Sequence, residues 1–192
     1  MGIHRQSLKT LRRIAHAHGQ GGHPDLASLA RDLGSAIHRH AATLDAELAY
    51  LRAPGRGFER WLLGHRRRAG MQLLVMAWPA NYATPVHDHG GLWGLEIALY
   101  GALEVQSYAR DPSSGELQPR GRTWLGPGDA TWFDAGEPGL HRCRNLSRHD
   151  TALTLHVYGG NLAEYFAYEQ AQPDQPWQAH PRHAAVSGRL PA

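Results

Sequence analysis

Residues 71–101 run MQLLVMAWPANYATPVHDHGGLWGLEIALYG. Two apolar runs, 71–78 and 94–100, enclose a loop that carries His87-Asp88-His89. Runs this short, bounded by Pro, Asn, Asp and Gly, read as β-strands rather than helices. Outward from this stretch the pattern repeats in LEVQSYA (103–109), ATWFDA (130–135) and ALTLHVYG (152–159). Clusters of Gly, Pro, Asp, Asn and Ser separate the runs. Residues 111–115 and Gly126-Pro127-Gly128-Asp129 are the clearest turns, with glycine supplying positive φ and proline a fixed one. The spacing predicts an antiparallel β-barrel or sandwich.

Upstream the period changes. Leu8, Leu11, Ile14 and Ala15 recur at helical spacing over 7–18, as do Leu26, Leu29, Leu33, Ile37, Leu44, Leu48 and Leu51 over 24–51. Pro24 suits a first helical turn, Gly34 is expected to divide the second stretch, and 58–64 is expected to form a further short helix. The expected layout is one structural domain in three parts: a helical cover over 1–65, a barrel over 66–170, and an irregular tail over 171–192, rich in Pro, Gln and His. No internal repeat is present.

A chain of 192 residues can fill one core. No apolar run approaches the roughly 20 residues of a membrane helix, and the first residues lack the apolar centre of a secretory signal. A cytoplasmic protein without a membrane partner is expected. The net charge of +3 and the run Arg66-Arg67-Arg68 raise a nucleic-acid partner, but nearby acids dilute the excess and no base-stacking motif accompanies it. No nucleic-acid binding is expected, and the assembly state expected is a monomer or weak homo-oligomer. The single cysteine, Cys143, excludes an internal disulfide and a multi-cysteine metal site, and reads as a buried core thiol. Any metal must therefore rest on histidine and carboxylate. Of the 14 histidines, His16, His18, His38 and His40 read as surface residues of the helical stretches.

In an extended segment residues two apart share a face, so His87 and His89 can aim both imidazoles at one point while Asp88 faces away. Alone, an H-x-H in a loop is more often surface than metal ligand. Its surroundings resemble the paired motifs of cupins over about 70–160. Gly101 fits the first motif, and Gly128, Gly136, His141 and Asn145 fit the second. Asn81 stands where a glycine often opens the first motif, and Gly94 stands where the usual carboxylate ligand would be. The resemblance implies a mainly β protein, a cupin jelly-roll barrel with N-terminal α-helices, in which His87, His89 and His141 converge on an interior metal. Without a carboxylate at 94, three neutral imidazoles leave the metal its full charge and up to three positions, which suits a thiolate substrate. Glu96 lies seven residues past His89 and, on a regular strand, would face the other way unless a bulge intervened.

The resemblance narrows to the cysteine dioxygenase type I family. There an H-x-H, a later histidine and an S-x-H-x-Y string occur in this order; here the string is Thr154-Leu155-His156-Val157-Tyr158. Period-2 spacing puts Thr154, His156 and Tyr158 on one face, where hydroxyl, imidazole and phenol can hydrogen-bond in series. A core strand whose polar groups satisfy one another has the same pattern. In the family the tyrosine stands beside the substrate, and in mammalian members a cysteine at the position of Gly94 forms a thioether to it. Gly94 implies an unmodified Tyr158. Phe58-Glu59-Arg60 resembles the family's Y-x-R string, whose arginine holds the substrate carboxylate; an exposed helix arginine is the other reading of Arg60. In related 3-mercaptopropionate dioxygenases a glutamine is typical there. Phe58 and Trp93 are candidate pocket walls, and Trp78 matches a family tryptophan near the tyrosine; core packing explains either tryptophan equally.

The resemblance implies Fe(II) as cofactor and L-cysteine and O2 as substrates, giving cysteine sulfinate. Iron comes from the resemblance alone, because imidazole accepts iron, zinc, nickel and copper alike. The alternatives are a dioxygenase of 3-mercaptopropionate or another small thiol, and a metal-binding cupin of another class: an isomerase, a carbon-substrate dioxygenase or a non-catalytic sensor.

Overall fold

A computed structural model describes residues 6–21, 23–66, 70–172 and 175–191. Three α-helices open the chain: α1 (Gln6–His18), α2 (Leu26–Arg39) and α3 (Ala41–Leu48). The Asp25 side chain caps α2 by accepting from the Ala27 and Ser28 amides, at 3.1 and 3.2 Å. The first amides of α1, which no helical carbonyl can reach, donate instead to a carboxylate from α3: Ser7 and Leu8 N–H meet Glu47 at 3.0 and 3.1 Å. The expected break at Gly34 is not seen. The helix runs through it to Arg39 and breaks at His40, and Gly34 sits where α2 crosses the backbone of Gly128 too closely for a Cβ.

The strands are β1 (Glu59–Arg66), β2 (Met71–Trp78), β3 (Val86–His87), β4 (Gly94–Tyr100), β5 (Leu103–Arg110), β6 (Leu117–Leu125), β7 (Ala130–Phe133), β8 (His141–Asn145), β9 (Ala152–Tyr158), β10 (Glu164–Glu169), β11 (Gln178–His183) and β12 (Gly188–Arg189). They form two six-stranded sheets, β12-β1-β2-β9-β4-β7 and β11-β10-β3-β8-β5-β6, facing each other as the jelly-roll of a cupin. Its mainly β character with helices at the N-terminus is as the sequence implied.

Two elements differ from expectation. Residues 58–64 were expected to be helical; instead Glu59–Arg66 is a strand, pairing with β2 in the register Arg60↔Met76. Its short apolar run suits either element, and the neighbouring strand decides. The tail was expected to be irregular, but β11 pairs with β10 and β12 lies parallel to β1. Pro181 is tolerated because β11 is an edge. Arg67 and Arg68 of the basic run lie outside the described residues. Among the described residues no helix is long and apolar enough to cross a membrane.

The helices roof one sheet. Leu8, Leu11, Leu29, Leu33 and Ile37 pack on Leu73, Val75, Leu95, Ile97, Leu153 and Leu155. The opposite face of the same strands points into the barrel, where Leu74, Met76, Trp78 and Tyr158 meet Val105, Phe133 and Cys143. β2 and β9 are therefore buried on both faces, as a continuous apolar run requires.

Candidate metal centre

β3 and β8 are antiparallel with His87 directly opposite His141. His89 lies just past β3, where Asp88 fixes the chain: its Oδ1 accepts from the Phe166 and Gly90 amides at 3.0 and 3.2 Å, and its Oδ2 from the Tyr168 hydroxyl at 3.0 Å. The three imidazoles form a triangle with centroid separations of 4.7, 4.7 and 5.1 Å. A candidate ligand nitrogen from each lies within 4.8 Å of the others. The His87 Nδ1 contacts the Pro85 carbonyl at 3.1 Å, and a carbonyl only accepts, so Nδ1 carries the proton and Nε2 keeps its lone pair. Both ring nitrogens of His89 and the Nε2 of His141 are buried without a hydrogen-bond partner. Burial, with His141 second, pushes His87 down to about 3 and His89 well below the usual imidazole range. The free lone pair on His87 Nε2 and the buried, partnerless nitrogens of His89 and His141, gathered within reach of one another, fit a metal ion.

On the other sheet, β4 and β9 pair as Gly94↔Tyr158, Glu96↔His156 and Ala98↔Thr154, so these six residues share the interior face. Thr154 Oγ1 is 2.8 Å from His156 Nε2, and His156 Nδ1 is 3.0 Å from the Tyr158 phenol. Trp78 Nε1 donates to Thr154 Oγ1 at 2.8 Å. An indole can only donate, which closes that end of the string and leaves the phenol as its one open end. Burial, then the Glu96 charge, pushes Tyr158 well above the usual phenol range, so the phenol keeps its proton.

Glu96 corrects the sequence reading. It was expected to face away from His89, yet it is 2% exposed and inside the barrel. Its Oε1 lies 3.1 Å from His141 Nε2, 3.3 Å from His156 Nδ1 and 3.9 Å from His89 Nε2. Counting alternate faces from His89 failed because Gly90 and Gly91 both take positive φ, 59° and 77°, so the count restarts after the turn. Counting from Gly94 within β4, or across to His156, finds it. Burial pushes the carboxyl upward, but the His141 and His156 imidazoles outweigh it and hold it well below the usual range. Glu96 Oε2 accepts from the Cys143 thiol at 3.6 Å, which makes Cys143 a buried neighbour of the centre.

Arg60 comes from β1, not from a helix. Its Nη2 donates to the Tyr165 hydroxyl at 3.3 Å, its Nε is buried without a partner, and its cation lies 5.0 Å from the Phe58 ring centroid. Phe58 stacks on Tyr82 at 4.8 Å and meets Trp78 edge-on at 4.9 Å. Arg60, Phe58, His87, His89, Glu96, His156 and Tyr158 all line one cavity of ≈ 20 Å³, together with Met76, Trp78, Thr84, Leu162 and Tyr165. A wider cleft of ≈ 500 Å³ runs outside beside Tyr108, Arg110 and Trp132 and reaches His141 but none of those polar groups. Convergence of chemistry, rather than size, marks the site.

Trp93 does not line the cavity. It is buried on the helix-covered side, with its ring 5.5 Å from His23. Tyr165 and Tyr82 were not singled out in the sequence, because aromatic residues in strands read as core. Asn145 is structural: its Nδ2 donates to the carbonyls of Trp78, Pro79 and Asp150. Asn81 takes φ 62°, the left-handed region that asparagine tolerates best after glycine, which explains why it can stand in for one. At Gly94 a Cβ would clash with the tip of the Phe133 ring, whose centroid lies 4.1 Å from that of His89. Phe133 thus fills the space a side chain at 94 would need.

The model of the family described as cysteine dioxygenase type I matches residues 56–171. Cysteine dioxygenase type 1 of Homo sapiens is 25% identical over 99 residues, covering 51% of this chain and 49% of that protein. The Danio rerio protein of that name is 26% identical over 101 residues, again 51% and 49%. This chain spans about half the length of the curated relatives it matches. An uncharacterized conserved protein with a double-stranded β-helix domain from Klebsiella pneumoniae is 16% identical, with a TM-score of 0.45 over 65% of this chain and 95% of that one. The matched residues run from Arg56 to Ala171 and take in Arg60, the three histidines and the string that ends at Tyr158, and on that match the chain belongs to the cysteine dioxygenase type I family.

Proposed function

We propose that this chain is a thiol dioxygenase that uses iron held by His87, His89 and His141 to convert L-cysteine and O2 to cysteine sulfinate. The observation that carries the reading is the meeting, on one small cavity, of the His87 and His89 imidazoles, the Arg60 guanidinium with its buried, partnerless Nε and the Tyr158 phenol, with His141 completing the histidine triad beside them. Family membership supports it. Iron, when bound, supplies the redox chemistry that lets dioxygen react with a thiol.

The chain's own groups do the rest. Arg60 forms no ion pair among the described residues, so its fork is free to take the substrate carboxylate in exchange for the long contact to Tyr165. The Tyr158 phenol holds a proton at the open end of the string and gives or takes it as charge develops on the substrate. His156 and Thr154 fix the phenol's direction and can shift the proton inward by reversing their hydrogen bonds. Phe58, Met76, Trp78 and Leu162 keep bulk water from a partly oxidised sulfur. A cavity of ≈ 20 Å³ admits only a small ligand, and that with movement of Arg60 or Tyr165.

A second substrate reading is 3-mercaptopropionate, which brings the same thiol and carboxylate without the amine. Arg60, where glutamine is typical of enzymes for that substrate, favours cysteine. Oxygen uptake by the anaerobically Fe(II)-loaded protein, measured with L-cysteine, 3-mercaptopropionate and cysteamine in parallel with mass spectrometry of products, separates them. Coupled uptake with cysteine and a product two oxygens heavier supports the first reading. Preference for 3-mercaptopropionate keeps the chemistry and replaces the substrate. No uptake with any thiol at full iron loading overturns both.

A further inference from the structure

We infer, resting on the dioxygenase reading above, that Tyr165 is a second donor to the substrate carboxylate, so that carboxylated thiols are selected by a guanidinium and a phenol together. Arg60 Nη2 donates to the Tyr165 hydroxyl at 3.3 Å, just beyond the usual range of such a bond. A phenol can accept and donate at once. Its oxygen accepts from Arg60, and among the described residues nothing accepts its hydrogen. Arg60 Nε is likewise buried without a partner, and no carboxylate pairs with this guanidinium among the described residues. Both residues line the cavity that His87 and His89 share. Donor capacity without an acceptor is thus gathered at one place in the cavity wall, where an unpaired buried N–H is costly. One carboxylate, with two oxygens and about four lone-pair sites, can satisfy both groups.

The backbone ties this phenol to the histidines. β10 pairs with β3 in the register Ala167↔His87, and Tyr165, two residues from Ala167, shares its face. The Tyr165 ring stands edge-on to His87, with centroids 5.8 Å apart. Asp88 clamps the two strands beside it: Oδ1 accepts from the Phe166 amide at 3.0 Å, and the Asp88 amide donates to the Phe166 carbonyl at 3.1 Å. On its other side β10 is held by β11, with Tyr165 opposite Arg182. The same carboxylate therefore fixes the H-x-H segment and the distance from it to the Tyr165 hydroxyl. A thiol is gauged between two points, its sulfur at the histidines and its carboxylate at Arg60 and Tyr165. An amine thiol such as cysteamine has no carboxylate and leaves both donors unpaired, which is how a site built to hydrogen-bond one group rejects an analogue that lacks it.

Two measurements on the full chain loaded with Fe(II) test this. A crystal structure of the wild-type protein with L-cysteine bound under anaerobic conditions should place the Tyr165 hydroxyl about 2.5–3.0 Å from a carboxylate oxygen of the substrate. Tyr165→Phe keeps the ring and removes only the hydroxyl. It should leave iron content unchanged and raise the KM for L-cysteine by roughly 10–100-fold, with kcat within about threefold of wild type. A hydroxyl more than about 3.5 Å from the carboxylate, or a KM within about twofold of wild type, overturns the inference and leaves the dioxygenase reading standing. Where 3-mercaptopropionate is the thiol turned over, it takes the place of L-cysteine in both measurements. A wild-type protein that consumes oxygen with no thiol overturns the inference together with that reading. The bound structure decides the case even where the variant does not fold.

Discussion

The two sheets of the barrel are built to opposite rules. The sheet under the helices has central strands with no water on either side, so β2 and β9 are buried at every position and β4 at all but its last. The sheet opposite has one wet face: β8 alternates buried and exposed, β6 is exposed through its middle, and Trp124 is 61% exposed. Chemistry is written differently in each. In the wet sheet a functional residue is any inward position: His141 takes a buried place in an alternating strand, and His87, the half-buried end of β3, stands directly opposite it. In the roofed sheet every position is expected to be apolar, so Glu96, Thr154 and His156 are conspicuous: each is buried at a cost that a partner must offset. The wet sheet supplies the metal-facing imidazoles, and the roofed sheet supplies the carboxylate, the proton string and, through β1, the guanidinium.

This division of labour can be broken by substitution. His141→Ala should have the largest effect, lowering metal affinity by about a hundredfold or more and abolishing turnover, as measured by metal analysis after gel filtration. Retained stoichiometric metal would take the wet sheet out of the centre. Tyr158→Phe should leave metal content unchanged and lower kcat by about 10²–10⁴-fold, read in single-turnover and steady-state oxygen uptake. A loss of metal in that variant would instead make the roofed sheet structural. Leu155→Ala, on the helix side of the same strand, should cost about 2–5 kcal/mol in urea denaturation while activity per folded molecule stays near wild type. If activity fell as stability did, the two faces of β9 would not be separable. Arg60→Gln should raise the KM for L-cysteine by about 10–100-fold, the loss of a charge-assisted hydrogen bond worth about 1.5–3 kcal/mol, and leave the KM for cysteamine unchanged. Trp124→Ser, on the wet outer face, should change stability by less than about 0.5 kcal/mol and activity not at all.

Most of the barrel was legible from its short apolar runs and turn residues, and the histidine triad from one H-x-H and the second motif. What escaped did so for local reasons. Arg60 was put on a helix because residues 58–64 carry too short a pattern to choose, and only the partner strand makes the choice. Glu96 was turned outward by carrying a two-residue period across the Gly90-Gly91 turn, where the period does not survive, and of the two readings open for Trp93 the structure takes core packing. The string Thr154, His156 and Tyr158 was legible because it lies within one strand. β11 was missed because a polar edge strand with a proline has neither the alternation nor the apolar content by which strands are recognised. Periodicity is reliable inside an element and has no memory across a loop.

The packing of Phe133 on Gly94 also constrains how this centre could change over time. A side chain at 94 collides with the ring, so Gly94→Cys or Gly94→Glu alone is disfavoured, whereas the same change after Phe133 has become small no longer meets the three atoms nearest to it, all of which belong to that ring. The two sites are epistatic, and the order of substitution matters: 133 first, 94 second. Lineages that keep an aromatic ring at 133 are held away from both a carboxylate at 94 and the thioether to tyrosine, however favourable either would be once formed.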